Sequence, residues 1–114
     1  MKQTGKLDYL EMAAPRGTLD SVKAFYSAAF SWSFTDYGPT YSAFDEGLEG
    51  GFQAESTEAA QRPLPVLYSE VLEETLAAVE AAGGKIVKPI FSFPGGRRFH
   101  FTDPAGNELA VWGE

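Results

Sequence analysis

The sequence predicts an α+β domain in which a strand, a helix and three strands occur twice. Three observations predict it. Residues 97–112, "RRFHFTDPAGNELAVW", read as two strands with period-two alternation joined by a tight turn. Two stretches have apolar residues at helical spacing, and each follows one alternating strand and precedes several more. The order repeats at about half the chain length, and neither half has enough apolar residues to close a core alone.

The elements follow in order. "KLDYLEM" alternates as a half-buried strand, with Leu10 and Met12 on one side and Tyr9 and Glu11 on the other. After the break at "AAPRG", Thr18 and Asp20 supply helix-start chemistry, and Val22, Phe25, Tyr26, Ala29 and Phe30 define a helical core face. "SWSFTDY" and "TYSAFDE" read as short strands around Gly38-Pro39, and "GLEGGFQA" as a third. "STEAAQRPLP" is polar with two prolines, so the expected organisation is one domain, 1–114, made of units at about 1–56 and 63–114 with a connector at about 57–62. "VLYSEV" is the next strand; Leu72, Leu76 and Val79 share a helical face that Gly83-Gly84 terminates, and "KIVKPIF" precedes the hairpin.

In that hairpin Asp103-Pro104 starts the turn and Gly106 supplies the positive φ that closes it. Phe99, Phe101, Leu109 and Val111 form the packing face, which leaves Arg98, His100, Glu108, Ala110 and Trp112 on the other. A concave sheet face lined by aromatics and a few ionisable groups suits a small-molecule ligand.

Composition restricts the function. The 114 residues carry a net charge of −7, 44% hydrophobic and 22% charged residues, and no cysteine. That balance disfavours nucleic acid, whose phosphates need a basic face, and no Lys/Arg patch addresses an anionic membrane. Thiolate metal sites, disulfides and thiol nucleophiles are excluded. "MKQTGKLDYLEMAAP" has no apolar run fit for a signal peptide, and no segment approaches the roughly 18 apolar residues of a transmembrane helix. The expected location is therefore cytoplasmic. "GLEGG" and "FPGGRR" lack the strand-to-helix setting of a phosphate loop, and no serine lies in a nucleophile elbow.

"DSVKAFYSAAFSW", "EETLAAVEAAGGKIVKP" and "RRFHFTDPAGNELAVW" together resemble the glyoxalase, bleomycin-resistance and extradiol-dioxygenase superfamily, the vicinal oxygen chelate proteins. The resemblance covers essentially the whole chain. It implies paired βαβββ units forming a curled mixed sheet around a cleft, and four metal-ligand positions that are usually His or Glu. Here Tyr9 and Ala110 occupy two of those positions, "VLYSEV" has no histidine for a third, and the fourth falls near Phe44 and Asp45. No metal or other cofactor is therefore expected at the usual site. A displaced divalent metal on His100, Glu108 and Glu11 is the competing possibility.

The candidate catalytic residues are Glu11, His100 and Glu108, as acid–base groups or displaced ligands. His100 alternatively is a half-exposed residue bonded to a strand neighbour. The candidate ligand-binding residues are Tyr9, Tyr41, Phe52, Arg98 and Trp112. Of the two adjacent arginines, alternation sends Arg98 to the cleft side and leaves Arg97 solvated or paired; Arg98 either binds a substrate anion or pairs with Glu108 or Glu11. Two functions follow from the resemblance. One is a metal-independent binding protein, like the acidic antibiotic-sequestering homodimers that hold a cationic planar drug in an aromatic groove. The other is a lyase or dioxygenase using a displaced metal or acid–base residues. The partners expected are a small-molecule ligand and a second copy of the chain.

Overall fold

The computed structural model describes residues 2–15, 17–54 and 63–114. The element order is β1 (Leu7–Ala13), α1 (Leu19–Phe30), β2 (Thr35–Asp36), β3 (Tyr41–Asp45), β4 (Glu49–Gln53), β5 (Leu64–Tyr68), α2 (Leu72–Ala81), β6 (Lys85–Phe93), β7 (Gly96–Thr102) and β8 (Glu108–Gly113). This is the α+β class and the doubled βαβββ order that the sequence predicts. Two compact units form, Tyr9–Leu64 and Met1–Asp8 with Pro65–Glu114. The expected connector at about 57–62 lies outside the described residues.

The N-terminal unit has the strand order β2-β3-β4-β1, antiparallel except for the parallel β4–β1 pair. Its core joins Ala14, Leu19, Phe44, Phe52 and Ala54, with Val22, Tyr26, Trp32 and Phe34 packed against them. At the start of α1 the Thr18 hydroxyl donates to the Pro15 carbonyl at 2.6 Å rather than accepting a helix N–H, and Asp20 lies in the first turn, where the helix dipole favours it. The helix ends at Ser31, which takes a left-handed φ of 61° while its N–H returns to Ser27.

Two expectations change here. Phe25 and Phe30 are 58% and 61% exposed, so the buried stripe of α1 is Leu19, Val22 and Tyr26. The left-handed turn folds Trp32 back against Tyr26 (4.7 Å between centroids) and Phe44 (4.8 Å), filling the space that a longer stripe would have used. The same inward turn of Trp32 and Phe34 removes them from the predicted strand at 31–37, of which only Thr35–Asp36 pairs with β3.

The C-terminal unit has the order β5-β8-β7-β6, with β5 and β8 parallel and the other pairs antiparallel. Leu72, Phe99 and Val111 are at most 2% exposed, and Leu76, Val79, Ile86 and Phe101 surround them. The strand predicted at 66–71 runs instead from Leu64 to Tyr68. The Ser69 hydroxyl ends it by meeting Thr75 Oγ1 at 2.6 Å and accepting the Val71 N–H at 3.0 Å, which turns the chain into α2. Gly83, at φ 104°, stops α2 as expected. The 103–107 turn is held by Asp103, whose Oδ1 accepts the N–H groups of Ala105 and Asn107 at 2.9 Å, with Gly106 at φ 90°.

The N-terminal segment belongs to this same unit. Gly5 N–H donates to the Tyr68 carbonyl, Tyr68 N–H to Lys6, and Glu70 N–H to Thr4 Oγ1. These bonds join residues 2–8 to a unit whose other members begin at Pro65.

Phe99→Ala is expected to cost about 3–5 kcal/mol, because Phe99 is fully buried against Leu72 and Val111. Phe25→Ala is expected to cost less than about 1 kcal/mol, since its ring is mainly solvated. Urea unfolding of both variants checks the pair; equal losses would contradict the burial assigned to α1.

Candidate functional site

In the C-terminal unit the hairpin register decides which side chains share a face. Phe99 lies opposite Val111 and Phe101 opposite Leu109, whereas Arg98 lies opposite Trp112, His100 opposite Ala110 and Thr102 opposite Glu108. The first set packs toward α2, so the polar set faces away, as alternation requires. Glu108 is two pairs along the ladder from His100, on the same face, and its Oε2 reaches His100 Nδ1 at 2.9 Å. Arg97 has the opposite parity and pairs with Glu73 on α2 at 2.6 Å, so it is the paired arginine of the two.

His100 is 4% exposed, not half-exposed, although it does bond a residue on the adjacent strand. With Nδ1–H donating to the Glu108 carboxylate, Nε2 carries the lone pair, and it is buried with no hydrogen-bond partner among the described residues. Burial is the main cause that holds the imidazole below its ordinary pKa; the Glu108 bond opposes this, and the charges of Arg98 and Lys88 add to it.

Arg98 lies over two rings, its Cζ 5.7 Å from the Phe91 centroid and 5.6 Å from that of Phe93. Lys88 pairs with His100 across β6 and β7, and its Nζ is 5.9 Å from the same Phe91 ring. The sequence reading missed Lys88, Phe91 and Phe93. Register shifts on either side of Lys88, near Pro89, break the simple alternation that would have placed them. Trp112 does lie on the expected face, but its indole N–H already donates to Asp8 Oδ2 at 2.9 Å, and Lys2 Nζ sits 5.3 Å from its ring centroid.

In the N-terminal unit Glu11 lies opposite Gly51 and Tyr41 opposite Gln53, which sets Tyr9, Glu11, Gly51 and Tyr41 on one face. The Tyr9 and Tyr41 hydroxyls are hydrogen-bonded to each other. A side chain at Gly51 would collide with the Tyr41 ring, so glycine is what admits this pair. Burial raises the Tyr9 pKa; the Tyr41 bond opposes that, and the negative charges of Glu11 and Glu49 reinforce it, so the phenol stays protonated.

A pocket of about 440 Å³ opens beside the pair, lined among others by Tyr9, Tyr37, Tyr41, Asp45, Glu46 and Glu49. Tyr37 and Glu49 were not foreseen, because the short strands read at 31–37 and 47–54 gave no parity that placed their side chains on a face. Glu11 is 6% exposed and does not line this pocket. The ligand-binding candidate Phe52 lies on the face away from Tyr9 and Tyr41, beside a second pocket lined among others by Met12, Val22 and Tyr26. It pairs with Met12 and Ser42, has the opposite parity to Gly51, and is 3% exposed among Tyr26, Phe34 and Phe44. It is a core ring.

Of the three catalytic candidates, His100 and Glu108 come together, and Glu11 belongs to the N-terminal unit. Ala110 offers only a methyl group and is fully buried. Among the described residues no group of three or more His, Asp or Glu side chains is placed to hold a metal ion. Among them also, no helix is long and apolar enough to cross a membrane.

A doubled βαβββ chain with polar residues on the sheet faces away from its helices defines a recognisable class. The chain belongs to the Glyoxalase/Bleomycin resistance protein/Dioxygenase superfamily, whose family model matches residues 6–111. No curated protein matches it in sequence. Similar solved structures include a protein described as an NAD-dependent benzaldehyde dehydrogenase from Legionella pneumophila, with TM-score 0.74 and 17% identity over 91% of this chain and 96% of that one. Methylmalonyl-CoA epimerase from Mycobacterium tuberculosis has TM-score 0.71 and 12% identity over 99% and 90%. The Mn(II)-bound glyoxalase from Novosphingobium aromaticivorans has TM-score 0.66 and 20% identity over 99% of this chain but 40% of its own. At these identities the likeness is one of fold.

Because the folded state holds His100 below its ordinary pKa of about 6.5, the unfolded chain binds more protons just below that pH. The stability that neutral His100 contributes is therefore complete above about pH 6.5 and declines as pH falls toward the lowered folded value. Urea unfolding across this interval is expected to show the decline, and His100→Gln to remove that component. NMR titration of the single imidazole at or above the ordinary value would contradict it.

Proposed function

We propose that the protein is a small-molecule-binding member of the superfamily that works without the usual metal and holds a cationic, planar ligand in the tyrosine pocket of its N-terminal unit. The observation that carries this reading is the pocket's composition. Three tyrosines and three carboxylates line about 440 Å³, a volume within the range of drug-sized ligand sites, and among the described residues no Lys or Arg lines it. Tyrosine faces and carboxylates both favour a cation, and the chain's net charge of −7 draws cations toward it.

The donor set supports the metal-free part. Where the resemblance places ligands, Ala110 has no donor atom and Tyr9 is a protonated phenol bonded to Tyr41. These residues do not fit a superfamily-type metal. A homodimer is part of the same reading, because exposed Phe25 and Phe30 give α1 apolar surface that a second copy would cover. The competing enzymatic reading, a lyase or dioxygenase with acid–base residues or a displaced metal, has the His100–Glu108 contact in its favour.

Proflavine, a planar cation, is the probe of choice. Its fluorescence is expected to report saturable binding that survives exhaustive chelation, and Tyr41→Ala and Glu49→Gln are each expected to weaken it about tenfold, or ~1.4 kcal/mol. Binding lost on chelation, or unchanged in both variants, would overturn the reading. Light scattering at micromolar concentration is expected to give twice the chain mass of 12.4 kDa.

A further inference from the structure

The C-terminal unit carries a second constellation that the tyrosine pocket does not use, and its chemistry is the reverse. In a chain of net charge −7, Lys88 and Arg98 flank one ring, with Nζ and Cζ at 5.9 and 5.7 Å from the Phe91 centroid, and Phe93 lies 5.6 Å from Arg98. The His100 ring is 5.8 Å from the same Phe91. Two cations and one imidazole therefore lie near the Phe91 ring, and Phe93 lies near one of those cations.

The imidazole makes the arrangement specific. The Glu108 carboxylate accepts the hydrogen bond from Nδ1–H, which fixes Nε2 as an acceptor, and among the described residues that buried atom has no partner, in a residue 4% exposed. A buried acceptor left unmade destabilises the fold, and a ligand hydroxyl that reaches it recovers that cost. Phe91 is near the imidazole and both cations. It sits on β6, the last strand in the order, and the pairing with β7 slips between Lys88 and Phe91.

We propose that this face binds a planar hydroxycarboxylate, with its carboxylate against Arg98 and Lys88, its ring against Phe91 and Phe93, and its hydroxyl donating to His100 Nε2. Guanidinium and ammonium suit a carboxylate, and a conjugated ring suits two phenyl faces. Both cations already have interactions in the folded chain, so the carboxylate exchanges with those contacts and the affinity is modest. Glu108 acts here as a positioning residue, since it sets which imidazole nitrogen accepts.

The chain has one histidine, so the Nε2 resonance of ¹⁵N-labelled protein reports the site without assignment. The probes are the three hydroxybenzoate isomers, with benzoate and phenol for comparison. At least one isomer is expected to shift Nε2 saturably and to bind about tenfold more tightly than benzoate or phenol. Arg98→Gln is expected to reduce that isomer to the level of phenol, and Lys88→Met, on the last strand, provides a second variant if Arg98→Gln does not fold. Glu108→Gln is expected to weaken the Nε2 response more than the benzoate affinity. Absence of a saturable shift, equal affinity for all probes, or unchanged binding in the folded cation variant would overturn the proposal. Proflavine binding at the Tyr41 pocket is read separately, so either site can fail alone.

Discussion

The burial of Phe99 and Val111 beneath Leu72 orients the polar side chains of β7 and β8. Strand side chains alternate with period two, so once Phe99 is committed to the helix side, Arg98 and His100 point the other way. A slip of one residue would bring Arg97 and Arg98 onto the wrong faces and bury a guanidinium against α2. Arg97 completes this arrangement from the helix side, where its bond to Glu73 gives the charge of that parity a partner. The partly exposed pair adds little energy, but it fits only one of the two registers.

The same rule operates in the N-terminal unit with smaller residues. Phe44 and Phe52 take the core side of β3 and β4, which leaves Tyr41, Ala43, Glu49 and Gly51 for the other. Gly51 is the concession that lets two phenols approach one another. Each unit therefore acquires its distinctive face as a by-product of core packing, and the chemistry of each face is set by which residues were left over. The leftovers are tyrosines and carboxylates in one unit, and cations, phenylalanines and an imidazole in the other.

Alternation explains what could be read in advance. The hairpin of β7 and β8 keeps strict period two around an Asp-Pro turn, so the facing of Phe99, His100 and Glu108 was legible, as was the parity of the two arginines. Legibility failed wherever geometry departed from a repeating period. Phe25 and Phe30 obey helical spacing, yet a left-handed residue at Ser31 brings Trp32 into their place. Phe52 looked like a cleft aromatic because glycine-rich "GLEGGFQA" has too few side chains to reveal its parity. Phe91 and Phe93 lie beyond a slipped register at Pro89, which no count along the sequence predicts. The burial of His100 is invisible to alternation too, because that assigns a face but not its cover.

The assignment of residues 2–8 to the C-terminal unit bears on how the chain comes together. Trp112 donates to Asp8 across 104 positions, and Glu70 to Thr4 across 66. Contacts so distant in sequence close large loops, whose entropy must be met before the contacts repay it. During synthesis Asp8 emerges 104 residues ahead of Trp112, and Thr4 emerges 66 ahead of Glu70. The C-terminal unit therefore reaches its full set of bonds only after translation has passed Trp112, and the opening segment stays available for other pairings until then.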